Sequence, residues 1–249
     1  KWQVLSSAAL LTLTLAACGA EEEAADKSTA KNSAETTETA QFPLTQTDAL
    51  GKEITIEKAP ERIISLIPSN TEILFGLGID EQIIAVNDND NYPEAALAKE
   101  KVGGMEFNLE QIIALQPDLV LAHESNLYSF NEEAIAQLEA IGITVFVVKD
   151  AKTFEETYTT IEQIGQMTNK VQQADEMIAS IKTGIDEIEV KVADLEEKSV
   201  FIVVGTAPDL YAAGQETFIN EMLEVLEVEN AVPELGWPQY SAEQFVASN

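Results

Sequence analysis

The sequence predicts an α/β fold of two lobes, each built on a mainly parallel sheet flanked by helices and joined by one long helix. Apolar runs typical of buried strands alternate with helical segments over residues 53–148, a pattern that favours a parallel sheet covered by helices. A long apolar stripe at helical spacing follows over residues 171–196. Two similar helix starts, at positions 108 and 241, then indicate that one structural unit occurs in both halves of the chain.

The strands are predicted from short apolar runs that are rich in β-branched residues. In chain order these runs are 53–56, 62–67, 83–86, 119–122, 144–148 and 200–204. The predicted helices between and after them cover residues 68–76, 108–116, 132–140, 154–167 and 171–196.

The first of these helices has clear boundaries in the sequence. Pro68 suits a first helical turn, and Ser69 and Glu72 have the spacing of a capping box. Gly76 and Gly78 are expected to end the helix.

The stripe over residues 171–196 predicts a rigid helix that bridges the lobes. At 1.5 Å per residue such a helix spans roughly 39 Å, which is longer than one small lobe. A coiled-coil dimer is the alternative, although the stripe covers fewer than four heptads and lies between two sheet regions.

The repeated helix starts are Asn108–Gln116 and Ser241–Asn249. Each has a polar cap residue, then a Glu-Gln pair, then apolar residues. A cap side chain accepts a hydrogen bond from a free N–H, and a first-turn glutamate is favoured by the helix dipole. The alternative is that short helix starts resemble one another by chance.

Since the first copy continues through Pro117 into a strand, a strand and a helix are expected beyond Asn249. The first residue is Lys1 rather than Met, so further residues are also expected before it.

The amino-terminal segment resembles a lipoprotein signal. An uncharged run from Trp2 to Ala17 precedes Cys18, the only cysteine, and is too short to span a membrane as a helix. Small residues before a cysteine are typical of lipidation sites, while an ordinary secretory signal is the alternative. Residues 1–18 are therefore assigned to a lipoprotein signal peptide, which predicts a lipid anchor on the extracytoplasmic face of the cell membrane, with palmitate as one acyl chain.

The residues after Cys18 lack large apolar side chains until Phe42, which predicts a disordered tether. The predicted domain boundaries are then a tether over 19–41, an amino-terminal lobe over 42–150, bridging helices over 151–197 and a truncated carboxy-terminal lobe over 198–249.

The charge excludes nucleic acid as a partner. Forty-four acidic residues against fourteen basic ones give a formal net charge of −30, whereas nucleic-acid binding requires a cationic surface. Arg62 is the only arginine, and arginine is the usual bidentate partner of an anionic ligand.

The sequence contains no persuasive catalytic or metal-binding pattern. One histidine, His123, cannot form a zinc site with the other residue types nearby, and a triad with Ser125 and Asp118 lacks a nucleophile elbow. His123 follows a predicted strand, where ligands bind in parallel sheets, but a loop hydrogen bond is the simpler explanation for it. The Asn/Asp run at 87–91 lacks the later Gly and Glu of a calcium loop. No cofactor, metal or catalytic residue is therefore predicted.

The chain resembles the solute-binding proteins of ABC importers for cobalamin, haem and ferric siderophores. The resemblance covers residues 43–249 and depends on motifs distributed along the chain. These motifs are Pro60–Leu66, Ser69–Ile73 with Gly76 and Gly78, Asn91–Pro93, Asn108–Glu110 through Pro117–Val120, the 171–196 helix and Trp237–Glu243. It implies a class III periplasmic-binding-protein-like fold and a role in capturing a small molecule for an ABC permease and its ATPase. It also implies that Glu110 and Glu243 dock into the permease.

The motif Trp237-Pro-Gln, followed by Ser241-x-Glu243, is most similar to the cobalamin-binding members of that family. The resemblance implies ligand contacts at matching positions, although Asn89 stands where those members carry a tyrosine and Met105-Glu106 where they carry a tryptophan. The predicted ligand-binding residues are Asn89, Tyr92, Met105, Glu106, Phe107, His123, Tyr211 and Trp237. Haem or ferric siderophore binding is the alternative within the family. A chelatase-like enzyme acting on a tetrapyrrole is the alternative from another class.

Overall fold

The computed structural model describes residues 40–196, 198–206 and 209–247. The predicted lipidation site Cys18, the signal segment and nearly all of the predicted tether lie outside the described residues. Within them, no helix combines the length and the apolar character that crossing a membrane requires.

The strands of the described residues are, in chain order, β1 (Leu44–Thr47), β2 (Glu53–Ile56), β3 (Ile63–Ser65), β4 (Ile83–Val86), β5 (Glu100–Lys101), β6 (Leu119–His123), β7 (Thr144–Val148), β8 (Lys198–Val200), β9 (Val203–Gly205), β10 (Leu210–Ala212), β11 (Val228–Asn230) and β12 (Gln239–Tyr240). The helices are α1 (Pro68–Gly76), α2 (Leu109–Leu115), α3 (Glu132–Ala140), α4 (Phe154–Met167), α5 (Val171–Val192), α6 (Phe218–Val225) and α7 (Ala242–Ala247).

The central sheet has the strand order β5-β4-β3-β6-β7, and all its neighbouring strands are parallel. Successive strand residues face two separate apolar clusters, as Ile63 and Ile64 do in β3. The cluster around Ile63 is covered by α1, α4 and α5, and the cluster around Ile64 by α2 and α3. Burial on both faces explains why these strands are continuously apolar. The predicted α/β class with a parallel sheet between helices is confirmed.

The start of α1 differs from the sequence prediction. The helix begins at Pro68 with Ile67 as its cap residue, and no side chain caps it. Proline suits the first helical position, because its missing N–H would have no partner there and its φ angle is already helical. The helix therefore begins before Ser69, and the capping box predicted from Ser69 and Glu72 is wrong. Gly78, with φ of +71°, follows the helix end as expected.

A short antiparallel hairpin of β1 and β2 precedes the central sheet. The backbone N–H of Ala49 in its turn donates to the carbonyl of Val147 at 2.8 Å, which places the hairpin beside the edge strand β7. The sequence analysis missed β1, because Leu44 is the only large apolar residue in that strand.

The long helix α5 packs closely on α4. A side chain on Gly165 would bring its Cβ to 2.5 Å from the Cβ of Ala174, so the close contact between the two helices requires glycine there. Ala174 and Ile178 are buried within the chain's own core. The helix ends at Val192 rather than Glu196, and Leu195 is 68% exposed.

The carboxy-terminal strands form two small sheets. β8 pairs in parallel with β11, whereas β9 and β12 flank β10 in antiparallel pairs. The prediction of a single strand over 200–204 is wrong, because the chain passes from one sheet to the other at Phe201 and Ile202. β8 ends at Val200 and pairs with β11, whereas β9 begins at Val203 and pairs with β10. The Phe201 ring packs edge to face against Tyr240, with centroids 5.0 Å apart.

Candidate functional site

The carboxyl edge of the central sheet carries a buried polar network. Ser65 ends β3, and Asn87 follows β4. The amide of Asn87 donates to the carbonyl of Leu66 at 2.8 Å, and Asn126, beyond β6, donates to the same carbonyl at 3.0 Å. Crevices at this edge of an open parallel sheet are the usual ligand sites of α/β proteins. The network therefore fixes the loops that surround the candidate site.

Asp90 lies at the centre of this network and is 1% exposed. Its Oδ2 accepts hydrogen bonds from the hydroxyl of Thr71 and from the backbone N–H of Asn87. Its Oδ1 is buried and has no hydrogen-bond partner among the residues that the structure describes. Burial is the main reason why the pKa of Asp90 is raised, and the two hydrogen bonds and Lys101 oppose it.

The loop after β4 carries the predicted ligand residues Asn89 and Tyr92. The backbone N–H of Asn89 donates to Oδ1 of Asn87 at 2.8 Å, so the loop is held while the Asn89 side chain remains exposed. Tyr92 is 66% exposed. The loop thus presents one amide and one aromatic ring to solvent.

A neighbouring turn carries Met105, Glu106 and Phe107. Met105 is 72% exposed, and Glu106 is also exposed. The ring of Phe107 points the other way, packing edge to face against Phe130 with centroids 5.7 Å apart. The structure therefore separates these three predicted ligand residues into two surface residues and one that contacts the core.

His123 is the last residue of β6 and is 8% exposed. Its Nδ1 accepts a hydrogen bond from the backbone N–H of Ser125 and lies 2.8 Å from the hydroxyl of that residue. Burial lowers the pKa of the imidazole, although Asp150 and Glu124 oppose this effect. His123 thus caps the short 3-10 turn at Glu124–Asn126, which agrees with the simpler explanation from the sequence.

Tyr128 is a candidate site residue that the sequence analysis missed. Its hydroxyl donates to the sulfur of Met105 at 3.4 Å, and the residue is 68% exposed. The pair joins the loop after β6 to the turn before α2. A tyrosine in a loop gives no periodic signal, so only the contact with Met105 identifies it.

Tyr211 and Trp237 lie on the carboxy-terminal sheets. Tyr211 in β10 is 40% exposed, and Trp237 before β12 is 54% exposed. The Trp237 loop is fixed by backbone bonds, since Gly214 donates to the carbonyl of Gly236 at 2.8 Å and Ala212 to that of Pro238 at 3.0 Å. The loop is therefore defined while its aromatic side chain stays accessible.

The amino-terminal ends of α4 and α6 border a cavity with a volume of ≈ 470 Å³. It is lined by Lys152, Thr153 and Glu156 from one side, and by Gln215 and Leu235 from the other. The predicted ligand residues do not line this cavity, although Leu235 is close to Trp237 in sequence.

The two repeated helix starts have matching caps. The Asn108 side chain accepts from the N–H of Gln111, and the Ser241 side chain from the N–H of Gln244, both at 3.1 Å. Glu110 and Glu243 occupy the same position in the first turn, and both are exposed. Neither forms an ion pair within the described part of the chain. The predicted structural resemblance of the two starts is confirmed.

Arg62 is engaged at the opposite, amino edge of the sheet. Its guanidinium donates to the carbonyls of Gln116 and Leu115 at the end of α2, at 3.0 and 2.5 Å. Within the described residues, no group of three or more His, Cys, Asp and Glu side chains is arranged to hold a metal ion.

A parallel sheet with accessible aromatic residues beyond its strands, a long helix and a second set of strands is the architecture expected of an α/β solute-binding protein. The family model described as periplasmic binding protein matches residues 63–249, and the chain belongs to this family.

Individual relatives agree with this assignment. The chain is 43% identical over 252 residues to the uncharacterized ABC transporter substrate-binding lipoprotein YvrC of Bacillus subtilis (strain 168), a match that covers 100% of this chain and 77% of that protein. It is 30% identical over 190 residues to a vitamin B12-binding protein of Yersinia pestis (strain Pestoides F), covering 75% of this chain and 66% of that protein. The chain thus spans just under two thirds of the length of this second relative.

A solved structure from Staphylococcus epidermidis ATCC 12228 is similar to the chain at 41% identity and a TM-score of 0.69. It is described as a possible iron-binding, periplasmic solute-binding protein, and the match covers 77% of this chain and 75% of that one.

These comparisons confirm the resemblance found in the sequence. The chain is a substrate-binding protein of an ABC importer, from an extracytoplasmic family that binds small molecules. Its fold is that of the class III periplasmic binding proteins. Members of this family are binding proteins rather than enzymes, so the chelatase-like alternative is wrong.

Proposed function

We propose that this protein captures a cobalamin-type corrinoid outside the cytoplasm and delivers it to an ABC permease. The observation that carries the proposal is a set of large, accessible apolar side chains, which lie on the loops beyond the central sheet and in the carboxy-terminal region. These are Tyr92, Met105, Tyr128, Tyr211 and Trp237. Large flat ligands are held mainly by aromatic and apolar area with a few polar contacts, and Asn89 and Glu106 can supply such contacts.

Three cations at the ends of the central strands are engaged by the protein itself, which favours a ligand without strong negative charge. Lys149, directly after β7, pairs with Glu156 at 2.8 Å. Lys101, at the end of β5, donates to loop carbonyls, and Arg62 is engaged at the other edge. An anionic ferric chelate would require free cations to replace its lost hydration. The peripheral amides of a corrinoid are uncharged and require none.

Relatives support the same ligand class. The Yersinia relative is a vitamin B12-binding protein, and that description is the reason for choosing corrinoids over other large flat molecules. Ferric siderophore or haem binding is the second candidate, because the Staphylococcus structure is described as possibly iron-binding.

Delivery would use the two matched helix starts. Glu110 and Glu243 are exposed carboxylates on the first turns of α2 and α7, where the helix dipole favours negative charge. We propose that both dock into cationic pockets of the permease. We also propose that Cys18 carries the lipid anchor, in keeping with the lipoprotein description of the Bacillus relative.

Calorimetry of the soluble protein with cyanocobalamin, haem and two ferric siderophores tests the ligand class. The siderophores are ferrichrome, which is neutral, and ferric enterobactin, which is anionic. Binding of cyanocobalamin with a Kd of roughly micromolar or tighter, and no heat with either siderophore, is the expected result. Binding of an iron chelate or haem alone would contradict the corrinoid proposal and support the second candidate.

A further inference from the structure

The loop that carries Asn89 and Tyr92 is organised around a single ammonium group. Nζ of Lys101 donates to the carbonyl of Asp90 at 2.8 Å and approaches the carbonyls of Asn87 and Ala96, each at 3.3 Å. These three residues span the loop from the end of β4 to the 3-10 helix at Glu94–Ala98. Three carbonyls directed at one cation resemble the way in which a loop surrounds a bound metal ion.

The same loop is joined to the Met105 turn. The backbone N–H of Asp88 donates to the carbonyl of Gly103 at 2.9 Å, and the N–H of Gly103 donates to Oδ1 of Asp88 at 3.1 Å. A side chain on Gly104 would bring its Cβ to 3.1 Å from the amide nitrogen of Asn89. The loop and the turn are therefore a single unit, and both carry candidate ligand residues.

The buried carbonyls of this unit depend unequally on Lys101. Asn87, Asp90 and Ala96 are all at most 3% exposed. The carbonyls of Asn87 and Ala96 also accept from the backbone N–H groups of Asp90 and Lys99, at 3.1 and 3.2 Å. The carbonyl of Asp90, by contrast, would lose its charged donor in a site that water reaches poorly. A buried carbonyl without a donor is costly, and the loop would open to expose the Asp90 carbonyl to water.

We propose that Lys101 is a positioning residue, whose ammonium is the internal cation that fixes the 87–96 loop in its ligand-binding form. The part of this proposal that concerns ligand affinity depends on the proposed function, whereas the part that concerns the loop conformation does not. Lys101 does not contact the ligand; it determines how often the loop has the conformation that binds. The apparent Kd of a ligand rises in inverse proportion to that fraction.

The first measurement is amide hydrogen exchange of the ligand-free protein, comparing wild type, Lys101→Ala and the control Lys99→Ala. Lys99→Ala removes the same charge two positions away. The Lys99 ammonium, however, donates to the carbonyl of Asp80 and lies 5.9 Å from the Phe75 ring centroid, so it does not hold the 87–96 loop. Lys101→Ala should increase exchange over residues 87–92 about tenfold or more, since local opening sets the exchange rate. Unchanged protection of β6 would show that the fold is intact, and Lys99→Ala should behave as wild type.

Chemical rescue distinguishes an ammonium that donates hydrogen bonds from simple packing or charge. n-Propylammonium chloride should restore part of the protection in Lys101→Ala, whereas tetramethylammonium chloride, which has the same charge but no N–H groups, should not. Unchanged exchange in Lys101→Ala, or equal rescue by the two salts, would overturn the proposal.

The second measurement is calorimetry with cyanocobalamin, for which Lys101→Ala should raise the Kd about tenfold, and Lys99→Ala less than about twofold. If Lys101→Ala has faster exchange over residues 87–92 but an unchanged Kd, the positioning role is overturned. If wild type binds haem or a ferric siderophore instead, the corrinoid proposal fails, and the same comparison is made with that probe.

Discussion

Phe154, the first residue of α4, packs edge to face against Phe218, the first residue of α6, with ring centroids 5.1 Å apart and planes at 63°. Both helices are capped by threonine: Thr153 accepts from the N–H of Glu156, and Thr217 from that of Asn220. The contact therefore joins two well-defined helix starts. It links the helix that covers the central sheet to the carboxy-terminal region, beside the cavity lined by residues from both.

A double-mutant cycle should measure this contact. Phe154→Leu and Phe218→Leu should each lower the free energy of unfolding by about 1 kcal/mol, and the coupling between them should be about 0.5–1.5 kcal/mol, because an edge-to-face pair adds to the area buried. Urea unfolding of the two single variants and the double variant provides the values. If the effects of the two substitutions on the free energy of unfolding are additive, the edge-to-face geometry contributes nothing beyond the area that each ring buries.

Asp90 should make stability depend on pH. Burial raises its pKa above the ordinary value of 3.8, so the folded protein favours the protonated carboxyl. The stability from this preference is fully present below pH 3.8 and is lost as the pH rises through the raised pKa. In Asp90→Asn, the amide oxygen can still accept from Thr71 and from the N–H of Asn87, but the side chain does not titrate. The stability of wild type relative to Asp90→Asn should therefore decrease with rising pH, with a slope of at most about 1.4 kcal/mol per pH unit.

Urea unfolding of both proteins from about pH 4 to about pH 7 measures this difference. Comparing the two proteins removes the contribution of the other carboxylates, which titrate in the same range. A relative stability of wild type that increases over this range would contradict the assignment of Asp90.

Trp237 should contribute directly to ligand binding, because it is a large exposed ring on a loop held by backbone bonds. Trp237→Ala should weaken cyanocobalamin binding by about 1–3 kcal/mol while leaving the unfolding free energy nearly unchanged. Ile141→Ala is a suitable control, because Ile141 is also exposed, at 56%, but precedes β7 at the amino edge of the sheet. Equal effects of the two substitutions on calorimetric Kd would exclude a specific role for Trp237.

Glu110 and Glu243 should affect transport but not capture. The double variant Glu110→Ala with Glu243→Ala should bind ligand within about twofold of wild type but lose most uptake, since charge pairs desolvated at an interface can each contribute about 1.5 kcal/mol or more. The matched control is Glu132→Ala with Glu155→Ala, which removes two first-turn glutamates from α3 and α4. Normal transport by the first variant, or loss of ligand affinity, would contradict the docking assignment.

Cys18 should be required for membrane attachment and not for folding. Cys18→Ala should move the protein from the membrane fraction to the soluble fraction, while ligand binding remains unchanged, because the variant lacks the thiol that accepts the lipid. Fractionation after a carbonate wash measures this. A variant that remains with the membrane would contradict lipidation at Cys18.

The sequence alone determined four of the five strands of the central sheet and most of its helices, whereas the two-residue edge strand β5 was missed. The bounds of α3, α4 and β7 agree with the sequence prediction, because strands buried on both faces must be apolar throughout and helices must place apolar residues at intervals of three and four. The repeated Glu-Gln helix starts were likewise evident, because Asn108 and Ser241 form their caps within a few residues. Local interactions of this kind leave a pattern in the sequence.

Only the tertiary structure determined how the loops beyond the strands are held. The ammonium of Lys101 reaches carbonyls up to fourteen residues away, and the Tyr128 hydroxyl meets the sulfur of Met105 from another loop. The division of the predicted 200–204 strand between two sheets also depended on distant partners, in β10 and β11. Such contacts have no fixed spacing along the chain, because they form between segments that only the packed fold brings together.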